Sequence, residues 1–206
     1  RYIESVNKKL TIDDEIVAYD VKDMSKYDYE GMFSMSQNVG FEENYVTYAD
    51  YKKYLQLYKV ELQETEGLIE NQRISKEQDE IEAIQKACKI TDDAFEYICN
   101  NMKEGMTEKQ IAFELEKYMI AKGADGVAFD LIVASGPNSS MPHAIPTDRK
   151  IESGDIIQFD IGCKVNGYCS DMSRVVFVDE MKDEYKEIYD FVSKVQKQIA
   201  SRFKEG

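Results

Sequence analysis

The stretch Asp155-Ile156-Ile157-Gln158-Phe159-Asp160-Ile161-Gly162-Cys163-Lys164-Val165-Asn166-Gly167-Tyr168-Cys169-Ser170-Asp171-Met172-Ser173-Arg174-Val175-Val176-Phe177-Val178 reads as a β-hairpin that carries paired carboxylates. Two apolar, β-rich runs, Ile156 to Ile161 and Tyr168 to Val178, flank Asn166-Gly167. Asn-Gly between such runs is a strong hairpin signal, because both residues tolerate the positive φ of a tight turn. With Asn166 and Gly167 as the loop, Val165 lies opposite Tyr168. Counting back, Asp160 lies opposite Ser173. Opposed residues share a face, and side chains alternate with period two. Asp171 therefore shares a face with Asp160 as its diagonal neighbour, with Cβ atoms roughly 7–8 Å apart. That gap suits one or two bridging metal ions. A one-residue bulge between them would put the carboxylates on opposite faces.

Ile157, Phe159 and Ile161 point to one side, so the strand that carries Asp160 is expected to be well buried. A buried carboxylate needs partners. Two together repel, and one pKa rises unless a cation intervenes. Spacing leaves two readings open. One is a metal site at Asp160 and Asp171. The other has one aspartate capping a turn and its fellow paired with Arg174 or a lysine.

Outward from the hairpin, Phe129 to Ala134 reads as a buried strand, Ser135-Gly-Pro-Asn-Ser-Ser as a loop, and Pro142-His143 follows it. Ser75-x-x-Gln78 and Thr107-x-x-Gln110 are capping boxes. The first predicts a long helix with a core stripe through Ile81, Ile84, Cys88, Thr91, Phe95, Ile98 and Met102, ending near Gly105. The second predicts a helix through Ile111, Leu115 and Met119 that stops at Gly123. The tail, Lys182 to Lys204, is a helix with one apolar side. Towards the start, Glu15 to Tyr19 is strand-like, Lys22 to Gln37 helical, and Val39-Gly-Phe-Glu a short strand. Thr47 caps a helix through Tyr51, Tyr54, Leu55 and Tyr58, and Lys59 to Gln63 alternates as a strand. This alternation predicts an α/β unit with a partly parallel sheet. Its dense tyrosines, from Tyr19, Tyr27 and Tyr29 to Tyr58, are expected half-buried at element edges. The division expected is residues 1–66, a linker over 67–75, and residues 76–206.

The chain has 206 residues, 43% hydrophobic and 32% charged, the balance of an ordinary globular protein. A net charge of −14 argues against nucleic acid and anionic membrane surfaces as partners. No apolar run approaches the roughly 20 residues of a membrane helix. Cys88, Cys99, Cys163 and Cys169 form no C-x-x-C pair, and His143, the lone histidine, completes no zinc cluster with them. All four are expected to be reduced, small apolar residues of a cytoplasmic protein.

The run Asp160-x-Gly162, then Gly167-Tyr168-x-Ser170-Asp171-x-Ser173-Arg174, resembles the first metal-ligand hairpin of the creatinase/aminopeptidase metallopeptidases, the pita-bread fold. Phe129-Asp130-x-Ile132-Val133-Ala134-Ser135-Gly136-x-Asn138-Ser139 is similar to that family's substrate-side strand and loop. Pro142-His143 with Pro146, Arg149, Gly154 and Asp155 resembles its histidine segment, and Gly105-Met106-Thr107-Glu108 also fits. The subgroup it is most similar to is the bacterial Xaa-Pro aminopeptidases and Xaa-Pro dipeptidases.

The resemblance implies a fold of class α+β/α/β. Residues 1–66 would be the C-terminal part of a creatinase-type N-terminal domain, and 76–206 the first half of the catalytic domain. It implies two divalent ions, manganese first, with cobalt or zinc as alternatives. Asp160 and Asp171 would be ligands, and His143 would be the catalytic and substrate-binding histidine. Oxygen donors suit such ions, and a histidine pKa suits proton movement near neutrality. The implied substrate is a peptide with proline in second position. The same family places a further histidine and two glutamates in a second half that has no counterpart before Gly206. The expectation is therefore an inactive fragment with weak or no metal binding, and a homodimer that covers the surface left open. Two competing readings are a peptidase-like protein that binds without catalysis, and a serine hydrolase using Ser135, Ser139 or Ser140 beside His143. The latter lacks a Gly-x-Ser-x-Gly elbow. Arg174 is expected to pair with a carboxylate on its strand, and Asp130 and Asn138 to shape loops.

Overall fold

The hairpin forms in the expected register in a computed structural model that describes residues 39–204. Strands β5 (Ile156–Ile161) and β8 (Met172–Phe177) pair antiparallel with Asp160 opposite Ser173. Strands β6 (Cys163–Val165) and β7 (Tyr168–Cys169) close the tip with Val165 opposite Tyr168. Asn166 and Gly167 have φ of 50° and 85°, as a tight turn between twisted strands requires. The ladder changes sheets at Gly162, where a Cβ would run into the Ser170 carbonyl oxygen. Only glycine permits this close backbone approach. The switch adds no extra residue, so the parity of Asp160 and Asp171 survives it.

The chain divides between Ser75 and Lys76 into two compact units. In the second unit, β4 (Ile132–Ser135), β5 and β8 form one antiparallel sheet, with β5 in the middle. Strands β3 (Gly126–Val127), β6 and β7 form the other. Two helices cover them: α3 (Gln78–Asn101) and α4 (Glu108–Ala121). The core joins Ala87, Ile90, Ala94 and Ile98 of α3 and Ile111, Leu115 and Met119 of α4 to Ile157, Phe159 and Ile161 of β5. Phe95 meets Phe159 edge-on at 5.7 Å. The unit ends in helix α5 (Asp183–Ala200).

Several local expectations need correction. The strand β5 is buried on one face only, so Asp160 is half-buried rather than deeply enclosed. Helix α3 starts two residues later than Ser75 suggested: Glu77 is its N-cap, and its N–H donates to Glu80 Oε2 at 2.6 Å. Its buried face runs through Ala83, Ala87, Ile90, Thr91, Ala94 and Ile98, leaving Ile81 and Cys88 exposed. Alanines lie where the helix meets the sheet, and a small Cβ lets the two approach closely. Phe129 and Asp130 precede the strand instead of opening it. Ser135 ends β4, and Gly136–Ser140 makes a 3-10 turn. All four cysteines are free, but Cys88 and Cys169 are exposed and only Cys163 is buried.

In the first unit, β1 (Val39–Phe41) and β2 (Leu62–Glu64) pair in parallel through helix α1 (Tyr48–Tyr58). Thr47 caps α1 by accepting from the Asp50 N–H at 3.2 Å. Strand β2 begins later than Lys59, because Lys59 ends α1 in the left-handed conformation with φ of 52°. Tyr51, Tyr54 and Tyr58 are half-buried as expected, but Tyr45 and Tyr48 are exposed. A short helix, α2 (Leu68–Gln72), follows β2. The strand expected over Glu15 to Tyr19, the helix over Lys22 to Gln37, and Tyr19, Tyr27 and Tyr29 lie outside the described residues.

Candidate metal centre

Asp160 sits on the central strand, between Ile132 of β4 and Ser173 of β8. Ser173 Oγ donates to Asp160 Oδ1 at 3.2 Å. Asp171 is exposed at the sheet switch beyond the start of β8. Its carboxyl is held above the ordinary aspartate value, first by desolvation, then by the Asp160 charge and a hydrogen bond shared between the two carboxyls. Two like charges on one face of the hairpin repel, which raises the proton affinity of Asp171. Ser173 accompanies them, while Arg174 donates to the Ser173 carbonyl at 2.8 Å where a carboxylate partner was expected.

His143 reaches the same face by a different route. Its neighbour Ala144 packs with Ile132 and Ala134 in a small cluster on the Asp160 side of the sheet. His143 is exposed and lines, with Asp160, a cavity of about 790 Å³. Phe113, Phe129, Ile132 and Ile145 make much of its wall, and Asp130 and Lys109 contribute charge. Asp130 is exposed there, and Asn138 shapes the loop by donating to both oxygens of Glu108 at 3.1 Å. The loop serines are committed elsewhere: Ser135 Oγ donates to Glu108, Ser139 Oγ to the Gly136 carbonyl, and Ser140 Oγ to the Pro137 carbonyl. None of these bonds joins a serine to His143, which leaves the serine-hydrolase reading without support.

Glu108 stands in the sequence within Gly105-Met106-Thr107-Glu108, where nothing in the spacing gives it a role. Its carboxylate is fully buried beneath the His143 loop. Burial pushes its pKa up, but hydrogen bonds from Thr147 and Ser135 outweigh that and hold it below the usual carboxylate range. Arg149 joins the cluster, donating to Ser135 Oγ at 2.7 Å and gripping Asp155 at 2.6 and 2.9 Å. The signal available beforehand was Arg149 and Asp155 flanking a Gly, which spacing alone could not connect to Glu108.

Carboxylate oxygens on one face of a hairpin, with the proton affinity of Asp171 raised, fit hard divalent ions, which relieve such repulsion. Among the described residues, no three His, Cys, Asp or Glu side chains converge closely enough to hold an ion by themselves. Asp160 and Asp171 therefore fit as part of a ligand set.

Two antiparallel sheets under a pair of helices, with the acidic hairpin beside a histidine loop, give the architecture of the pita-bread metallopeptidases. The chain belongs to metallopeptidase family M24, whose model matches residues 82–206. It is 42% identical over 171 residues to an uncharacterised peptidase of Bacillus subtilis, covering 82% of this chain and 48% of that one. An Xaa-Pro dipeptidase from Bacillus anthracis superposes with a TM-score of 0.80 at 34% identity, over 95% of this chain and 55% of that one. An X-Pro aminopeptidase from Thermotoga maritima superposes with a TM-score of 0.83 at 30% identity, over 95% and 54% respectively. The chain spans about half the length of the curated relatives it matches. Among the described residues no helix is long and apolar enough to cross a membrane.

Proposed function

We propose that the protein to which this chain belongs is a metal-dependent peptidase acting on peptides with proline in second position. The observation that carries this reading is the cleft that Asp160 and His143 both line, with Asp171 beside Asp160 on the same face of the hairpin. In this reading residues 1–66 end a creatinase-like N-terminal domain, 67–75 link, and 76–206 form the first half of the catalytic domain. Asp160 and Asp171 would hold part of a dinuclear centre, with manganese preferred and cobalt or zinc as alternatives. Two divalent ions, when bound, polarise a peptide carbonyl and stabilise the charge that develops on it. His143 stands on the substrate side, where an imidazole can hydrogen-bond the peptide or move a proton. The apolar wall of Phe113 and Phe129 suits the hydrophobic parts of an Xaa-Pro unit.

Removal of the first residue from longer peptides and cleavage of Xaa-Pro dipeptides are both compatible with this site, and a dipeptidase fits the relatives at least as well. The family resemblance calls for a further histidine and two glutamates, whereas His143 is the sole histidine of the 206 residues. The isolated chain is therefore expected to be inactive and to bind manganese weakly or not at all. A second copy covering exposed apolar surface makes a homodimer the proposed assembly.

The test begins with the intact mass of the protein from its native source. That protein is then assayed with manganese on Xaa-Pro dipeptides and on longer Xaa-Pro peptides. Proline release from dipeptides alone selects the dipeptidase, and release of the first residue from longer peptides selects the aminopeptidase. Tight metal retention without hydrolysis of either overturns the enzyme reading in favour of a binding protein. Hydrolysis by the purified 206-residue chain would sink the expectation of inactivity.

A further inference from the structure

Glu108 opens helix α4, yet the helix does not need its carboxylate. Thr107 and Gln110 already cap that end reciprocally, at 3.1 and 2.9 Å. The Glu108 side chain instead turns inward and is fully buried. Its Oε1 accepts from the Ser135 N–H and hydroxyl, both at 2.7 Å. Its Oε2 accepts from the Thr147 hydroxyl at 2.6 Å and the Thr147 N–H at 2.9 Å. Asn138 Nδ2 bridges both oxygens at 3.1 Å.

These donors have a common property. Ser135 and Thr147 are the two ends of the segment that carries His143, and Asn138 lies inside it. A buried charge with this many donors is too costly to arise from packing alone, since each donor must be aimed. Between the ends, Ala144 is the buried anchor, against Ile132 and Ala134. Met141, His143 and Ile145 are exposed. The segment is thus clamped at its base and rests at its apex on one small side chain.

We propose that Glu108 is the positioning residue of the His143 loop: its carboxylate ties both ends of the loop to α4 and so fixes where His143 stands across the cleft from Asp160. The functional weight of this rests on the reading of His143 as a substrate-side group. The tie itself is measured without any activity.

The chain holds a single histidine, so its imidazole ring protons give an unambiguous proton NMR signal. That signal and amide hydrogen exchange are compared for the wild-type chain, Glu108→Gln, Thr147→Val and Thr147→Ser. Glu108→Gln and Thr147→Val are expected to shift the His143 signal and to speed exchange of the hydrogen-bonded Met141 and Ala144 amides by about tenfold or more, with the hairpin 156–177 within about twofold. Thr147→Ser keeps the hydroxyl and is expected to restore the wild-type signal. If Glu108→Gln does not fold, Thr147→Val decides, because it keeps the charge, the Ser135 donors and the Thr147 N–H and removes only the bonds of the Thr147 hydroxyl, to Glu108, Asn138 and the Arg149 N–H. An unmoved His143 signal in Thr147→Val overturns the proposal. So does exchange that rises evenly over residues 76–204, which would make Glu108 an ordinary core group. A confirmed tie, together with a native-source protein that hydrolyses no Xaa-Pro peptide with manganese, would sink the peptidase reading and leave the positioning role standing.

Discussion

At the scale of single residues, Asp171 shows what the paired carboxylates cost. Its raised pKa means that the folded chain holds this proton more tightly than the unfolded chain does. Stability is then lost as pH rises from the ordinary value of 3.8 through the raised one, and stays lost at neutrality. Asp171→Asn should therefore melt at a higher temperature than wild type at pH 7, with the difference closing below pH 3.8. Thermal unfolding of both chains across that window checks it, and a lower melting temperature for the variant at neutral pH would contradict it. Glu108 runs the opposite way. Its depressed pKa contributes stability that is present above the ordinary value of 4.5 and lost as acid protonates the folded form. The pairing of Asp160 with Asp171 was legible because strand parity follows from the turn alone. Glu108 was not, because in sequence it reads as a first-turn acid favoured by the helix dipole, and its partners lie at Ser135, Asn138 and Thr147. Gly136 adds a further prediction. Its φ is 50°, and a Cβ there would come within 2.7 Å of both Arg149 Nη2 and Asp155 Oδ1. Gly136→Ala should cost on the order of 3 kcal/mol in denaturant unfolding. A change below about 0.5 kcal/mol would show that the Arg149–Asp155 pair yields freely.

Among the elements, existence was easier to read than orientation. The helix over Gln78–Asn101 follows from its periodicity, and Thr91, Phe95 and Ile98 of the predicted stripe do face the core, but Ile81 and Cys88 fall outside the buried face. Apolar size selected the stripe, whereas close helix–sheet contact selects small side chains such as Ala87 and Ala94, both fully buried. Ala94→Leu should therefore overpack the interface and cost about 1–3 kcal/mol. Ile81→Ala, at a position 37% exposed, should cost much less. Equal losses in the two variants would mean that α3 can roll on the sheet. The hairpin carries a similar lesson. Its register was fixed by Asn166-Gly167, but the change of sheets at Gly162 leaves no mark in hydrophobic pattern, because it depends on the approach of the Ser170 carbonyl. The half-buried state of Asp160 was misjudged for a related reason: alternation gives the face of a side chain, and only the elements stacked on that face decide its burial.

At the scale of the whole molecule, an open apolar surface among the described residues is the outer side of α5. Ile188, Phe191, Val192, Val195 and Ile199 recur at helical spacing and are exposed, Phe191 by 67%. Tyr189 meets Phe177 of β8 at 5.8 Å, which holds the helix beside the sheet without covering that stripe. Val175 of β8 is exposed as well. A helix with an apolar stripe is stable mainly through what it packs on, so an open stripe favours association. The proposed homodimer predicts that the 206-residue chain sediments as a dimer at micromolar concentration. Replacing Phe191 and Val192 by Lys and Glu, both good helix formers, should yield a monomer with unchanged helix content by circular dichroism. A wild-type monomer at that concentration would remove the homodimer. A ladder of larger species would mean that the stripe is adhesive without being a defined interface. A dimer that survives the double replacement would move the contact off α5 and onto another surface of the chain.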